Sequence, residues 1–199
     1  MTDSFEQGLA LIQRLGGRER PAVLDLFASI GEPEFGERCV GFIYGEVYHR
    51  EGLSLPERQL VTVGALTALG YASAQLRFHA DAALNVGCGR QQVIEAIEYA
   101  SEVAGSPAGE VLPRGSDSRG LSPVEREIVA VAACVAMGTE LPRLGAHLRT
   151  LLGIGGTRKQ IVETVLHLAF YVGFPAALNA MGVAKEVFDD QSAGTGGVG

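Results

Sequence analysis

The chain contains no tryptophan, and only 7% of its 199 residues are aromatic. Hydrophobic residues still make up 47%, so the apolar content is mostly alanine, valine and leucine. That mixture suits closely packed helices better than a β-sandwich, and no segment alternates apolar and polar residues over a convincing strand length. Cysteine is scarce too. Cys39, Cys88 and Cys134 are odd in number and spaced about fifty residues apart, which fits neither a disulfide framework nor a metal site. A reducing compartment is the expectation. Net positive charge is missing: the formal charge is −7, with no basic stripe, which argues against nucleic acid as a partner. An anionic substrate would have to be met by local positive charge. The longest apolar stretch, Ile128 to Gly138, is too short to cross a bilayer and reads as a buried helix. The opening "MTDSFEQGLALIQRLGG" carries acids and lacks a signal-peptide layout. Together these features describe a soluble cytoplasmic protein with no membrane partner.

What the chain does have is a repeat. A shift of 68 lays Leu53 over Leu121 and runs without a gap to Ala108 over Ala176. "LSLPERQLVTVGALTALG" falls on "LSPVEREIVAVAACVAMG", and His79 falls on His147. Roughly a third of the aligned positions are identical, which points to duplication. Each copy reads as three helices. The first opens at Ser54 or Ser122 with Glu57 or Glu125 three residues later, a capping box. The second carries the shared histidine and ends in a glycine-rich stop, "NVGCG" or "GIGGT". The third covers Arg90 to Ala104 or Arg158 to Val172. A fourth, from Pro175 to about Phe188, is clear only in the second copy. Further helices are expected over Glu6 to Leu15, Arg20 to Ser29 and "FGERCVGFIYGEVYHREG". The expected organisation is therefore N-terminal helices over 1–52, a repeat over 53–108, a polar linker over 109–120, a second repeat over 121–190 and a disordered tail over 191–199.

Three stretches resemble the carboxymuconolactone decarboxylase family of the alkylhydroperoxidase D-like superfamily. They are "GEVYHREGLSLPERQLVTVGALTALG", "LRFHADAALNVGCGRQQVIEAI" and "QIVETVLHLAFYVGFPAALNAMGVAKEVF". The resemblance implies an all-α fold made here of two fused homologous repeats. Family members usually carry one such domain and assemble as trimers or hexamers. A fused pair would rebuild a six-lobed ring from three chains, so a homo-oligomer, a trimer first, is implied. The peroxidase branch uses a Cys-x-x-Cys pair before the helix histidine. The matching stretches here, "ASAQLRFH" and "ELPRLGAH", hold no cysteine, which argues against thiol peroxidase chemistry. The decarboxylase branch keeps the histidine and an upstream glutamate and needs no cofactor.

That branch removes a carboxylate from an unsaturated lactone, passes the electrons to the lactone carbonyl as an enolate and protonates carbon. Such a site needs a donor or cation for the anion, an apolar wall and a proton donor that works near neutral pH. His79 and His147 match the family histidine. Glu127, 20 residues before His147, matches its glutamate, and Gln59 stands there in the first copy. One lobe is then active and the other structural, or both combine into one mixed site. A core histidine and a solvated first-turn acid are the competing readings. Tyr44, Glu46 and His49, with His167 and Tyr171 one turn apart, are candidate pocket residues, although core packing explains them equally. Arg77 and Arg143 could hold a carboxylate. No two histidines have helix-face ligand spacing, so no metal is expected. The leading expectation is a cofactor-free lyase or proton-transfer enzyme acting on a small unsaturated lactone or β-keto-like acid. A non-catalytic helical assembly or binding protein, and a specialised-pathway enzyme with a larger substrate, are the alternatives.

Overall fold

In the computed structural model, residues 2–105 and 119–195 are described, and among them there is no strand. The helices run α1 (Thr2–Gly16), α2 (Ala22–Ser29), α3 (Pro33–Val40), α4 (Leu55–Leu69), α5 (Ser73–Asn85) and α6 (Arg90–Ala104). After residues 106–118 they continue as α7 (Pro123–Met137), α8 (Leu141–Gly153), α9 (Arg158–Val172) and α10 (Phe174–Thr195). The expected linker lies outside the described residues apart from Arg119 and Gly120.

Both copies start on the same device. The Ser54 N–H donates to Glu57 Oε2 at 2.7 Å, and Ser54 Oγ accepts from the Glu57 N–H at 3.3 Å. Ser122 and Glu125 repeat this with the same two distances. Both helices stop at a left-handed glycine, Gly70 (φ 72°) or Gly138 (φ 69°), where a β-carbon would be strained. Between those caps α4 is buried continuously from Arg58 to Thr67, and α7 from Ile128 to Val135. Helices buried on all sides belong at the centre, and these two pack against each other. Their backbones meet closely at Gly64, where a β-carbon would press on Val129.

The outer helices cross over. Gln160 of α9 caps its own helix at Thr157 and also donates through Nε2 to Glu57 of α4 at 3.0 Å. Gln92 of α6 caps Gly89 and donates to Glu125 of α7, also at 3.0 Å. Each copy therefore completes the other's first helix. The result is a two-lobed bundle: α4, α5 and α9 form the first lobe, and α7, α8 and α6 the second.

The N-terminal helices cover only the first lobe. Leu11 and Leu15 of α1 are buried against Tyr48, Ala82 and Val86. The stretch expected as one helix after Phe35 has three geometries: α3, a π turn over Gly41–Glu46 and a 3-10 turn over Val47–His49. The wider turn accompanies close backbone packing. A β-carbon on Gly8 would strike the Val40 carbonyl, and one on Gly45 would strike the Ser4 carbonyl. At the other end, α10 extends past Phe188 to Thr195, into the stretch expected as a tail from residue 191. Arg158 donates to the Phe188 carbonyl and to Ser192 Oγ, which tethers an otherwise weak helix end. Residues 196–199 lie outside the described residues.

The Gly45 contact carries a stability prediction. Gly45→Ala should lower the unfolding free energy by roughly 1–3 kcal/mol through overpacking. Gly182→Ala, in α10 with open space around it, should be neutral or slightly stabilising. Urea midpoints of the two variants check this, and equal midpoints would remove the close-packing argument.

Candidate active site

The shared histidines make the same bond in both lobes. In the first, His79 Nδ1 lies 2.9 Å from Gln59 Oε1. In the second, His147 Nδ1 lies 2.8 Å from Glu127 Oε2. In each case the partner comes from the lobe's central helix, near its capped start, and the histidine comes from the helix that follows. Nδ1 is taken in both, which leaves Nε2 as the nitrogen that can meet another molecule.

The environments differ. His79 is 4% exposed and burial pushes its pKa down to about 3, so near neutral pH it is an uncharged imidazole. It sits in a cluster drawn from three parts of the chain. Gln59 Nε2 donates to Tyr48 Oη at 3.3 Å, and Tyr48 Oη lies 2.9 Å from Tyr171 Oη. His167 Nε2 shares a hydrogen bond of 2.8 Å with Thr62 Oγ1. The Tyr48 ring stacks on Tyr44 and meets His167 edge-on, and Tyr171 lies against both histidines. Burial, aided by Arg58 and His79, holds His167 well below its ordinary pKa.

Beside this cluster lies a buried ion pair that the sequence reading did not single out. Arg58 has no exposed surface. Its Nη2 donates to the Arg50 carbonyl at 2.6 Å and lies 3.3 Å from Glu163 Oε2. Arg50 closes the other side of Glu163 through Nη2 at 2.8 Å. Burial alone would raise the Glu163 pKa, but the hydrogen bonds and charges of Arg50 and Arg58 outweigh it and hold the group below its usual range. The signal for this pair was present in the repeat, since Arg58 recurs as Arg126 and Glu163 as Glu95. Tyr48 and Thr62 were missed as well. Tyr48 had only its position one turn after Tyr44 to mark it.

The second lobe has the same backbone plan with different contents. Glu127 and His147 are 14% and 20% exposed at the side chain, sheltered but reachable. Tyr99 stands where His167 stands in the first lobe, and Val103 replaces Tyr171. The Arg126 guanidinium lies over the Tyr99 ring, 4.0 Å from its centre. Glu95 does not pair with it; its carboxylate accepts from the Leu121 N–H at 2.8 Å and from Gln91 at 3.0 Å.

Some candidates fall outside both clusters. Glu46 is exposed and lines a cavity of about 510 Å³ with Ser4, Phe5 and Phe42, away from the histidines. Two residues apart on a helical turn, Tyr44 and Glu46 face opposite sides, with Tyr44 in the first-lobe cluster and Glu46 at the surface. His49 and Arg77 are exposed, and Arg143 donates to the Val103 carbonyl at 2.9 Å. The buried thiols are poor nucleophiles: burial pushes Cys88 up to about 12 and Cys134 up to about 11. Among the described residues, no three histidine, cysteine, aspartate or glutamate side chains gather as a metal site requires, and no helix is long and apolar enough to cross a membrane.

Two predictions follow from this cluster. Glu163→Ala leaves Arg58 as an uncompensated buried charge and should destabilise by about 3–5 kcal/mol. Replacing both partners with apolar residues should recover much of that loss, as measured by urea unfolding. The second concerns acid. His79 loses basicity on folding, so between its ordinary value of 6.5 and about 3 the unfolded chain binds the extra proton. Stability must fall as pH drops through that window. His79→Gln should lose stability less steeply between pH 6.5 and 4; an unchanged slope would remove His79 from the linkage.

The model of the carboxymuconolactone decarboxylase family matches residues 33–111 and again 114–186. The chain is 39% identical over 71 residues to the 4-carboxymuconolactone decarboxylase of Acinetobacter baylyi, covering 36% of this chain and 52% of that protein. It is 38% identical over 66 residues to an uncharacterized 15.0 kDa protein of Paracoccus denitrificans, covering 33% and 49%. The chain spans about half the length of these curated relatives.

Proposed function

We propose that this chain, which belongs to the carboxymuconolactone decarboxylase family, is a carbon–carbon lyase whose reaction runs at the Glu127–His147 pair. The observation that carries this reading is the 2.8 Å bond between Glu127 Oε2 and His147 Nδ1 in a sheltered but reachable position. A carboxylate at Nδ1 fixes the imidazole's orientation, which leaves Nε2 as the nitrogen that exchanges a proton with the reacting molecule. The substrate class is a small unsaturated lactone acid or a β-keto-like acid. In the lactone case the bond to the departing carboxylate breaks and CO₂ leaves. The electron pair moves through the double bond onto the lactone carbonyl oxygen. Reprotonation at carbon takes the proton from His147 Nε2, and water restores it. These steps need only the chain's own acid–base groups.

The first lobe is the structural half in this reading. Gln59 can orient His79 but offers no negative charge to hold it protonated, and burial opposes that charge further. A non-catalytic scaffold role is thus favoured for this lobe alone, by the near-complete burial of His79.

The test is CO₂ release from an unsaturated lactone acid such as 4-carboxymuconolactone. His147→Ala should lower kcat by about 10²–10⁴-fold, the usual share of a general acid. Glu127→Gln should lower the rate too, because an amide can orient the imidazole but offers no negative charge beside it. Undiminished turnover in His147→Ala would sink the assignment.

A further inference from the structure

We infer that Arg126 is the cationic group that collects the negative charge developing on the reacting molecule beside Glu127 and His147. The inference rests on the proposed function and adds to it a residue that takes no part in the Glu127–His147 bond.

The two lobes give the argument. Position for position, Arg126 is Arg58, and Arg58 is buried and engaged through Nη2, which bonds the Arg50 carbonyl and pairs with Glu163. The residue that should pair with Arg126 is Glu95. That carboxylate has turned to the Leu121 N–H and to Gln91. Among the described residues Arg126 has no ion pair, and its guanidinium rests on the face of Tyr99. Stacking orients a guanidinium while leaving its N–H groups at the edge open to an anion.

Placement brings it to the reaction. In the first lobe His167 is hydrogen-bonded to Thr62, one turn after Arg58, and its ring and that of His79 both lie against Tyr171, so it neighbours both groups. Tyr99 occupies that position in the second lobe, with Arg126 over it and His147 in the place of His79. The other cations nearby are engaged. Arg143 donates to the Val103 carbonyl, and Arg119 lies 3.8 Å from Glu125.

Chemistry decides which anion is held. A cation gripping the departing carboxylate would stabilise the ground state and oppose the loss of CO₂. A cation at the lactone carbonyl oxygen gains strength as the enolate forms, and only such an interaction speeds the step. Arg126 is therefore assigned to the enolate oxygen.

The probe is tetronate, a stable lactone enolate, set against the neutral lactone 2(5H)-furanone. Binding is followed by calorimetry and by the His147 ring resonances of the full chain. Wild type should prefer tetronate, and Arg126→Gln should lose that preference by at least ~10-fold while binding furanone as before. Arg126→Lys should recover part of it, and Arg149→Gln, a surface change on α8, should have no effect. In turnover, Arg126→Gln should lower kcat by at least ~10-fold with KM within about twofold. Equal tetronate binding by wild type and Arg126→Gln would overturn the assignment. So would a wild type with no preference for tetronate, or a rise in KM with kcat retained. Failure of the proposed function shows elsewhere, as undiminished turnover in His147→Ala, and leaves the binding result to be read by itself.

Discussion

Everything in the first lobe is arranged around one charge that has no access to water. The Arg58 guanidinium stands at the junction of the first repeat, the second repeat and the segment that leads into α4. Leaving a charge there unmatched costs several kcal/mol, so the fold must bring Glu163 to it from more than a hundred residues away. Once α9 is fixed by that demand, His167 and Tyr171 on the same helix face the Gln59–His79 pair. Arg50 anchors the incoming segment to the same carboxylate, which sets Tyr48 and Tyr44 over the histidine. The pair does not add much net stability by itself. It decides which helix goes where.

The second lobe shows what the same backbone does without that charge lock. Its caps match those of the first lobe in distance, and its histidine makes the same bond. Yet Glu95 has gone to a backbone N–H, Arg126 is at the surface, and the aromatic cover is missing among the described residues. A single difference, glutamate for glutamine at the histidine's partner, then has different consequences. In the buried lobe an added carboxylate would need a matching proton or cation. In the sheltered lobe it stays in reach of water and holds His147 by Nδ1. Duplication supplied two copies of one scaffold, and burial together with one amide-to-acid difference gave their histidines different surroundings.

The sequence made the all-α class, the repeat, the limits of α6 and α9 and the capped starts of α4 and α7 legible, because caps and apolar periodicity are local. It also identified Glu127 with His147 and Gln59 with His79, since a shift of 68 isolates them from the capping glutamates. What it did not reveal depends on convergence. Arg58 and Glu163 recur in the repeat as Arg126 and Glu95, but nothing local marks them as a buried pair until α9 crosses to the other repeat. Glu46 was grouped with Tyr44 by proximity in the chain, but two residues apart on a helical turn they face opposite sides, and only Tyr44 stacks on Tyr48. The extension of α10 depends on Arg158, thirty residues upstream of the carbonyl it holds.

The exchange of capping partners between repeats also constrains how the chain can be made. A ribosome that has released only the first hundred residues presents α4 with Glu57 unmet by Gln160 and Arg58 unmet by Glu163. That half holds the Arg58 charge without its carboxylate until α9 is made, and α7 meets an α6 synthesised long before it. The protein is a fusion in sequence only. In assembly it behaves as two interlocked chains that share one peptide backbone, and the tether between them matters chiefly by keeping each half near the partner it needs to finish.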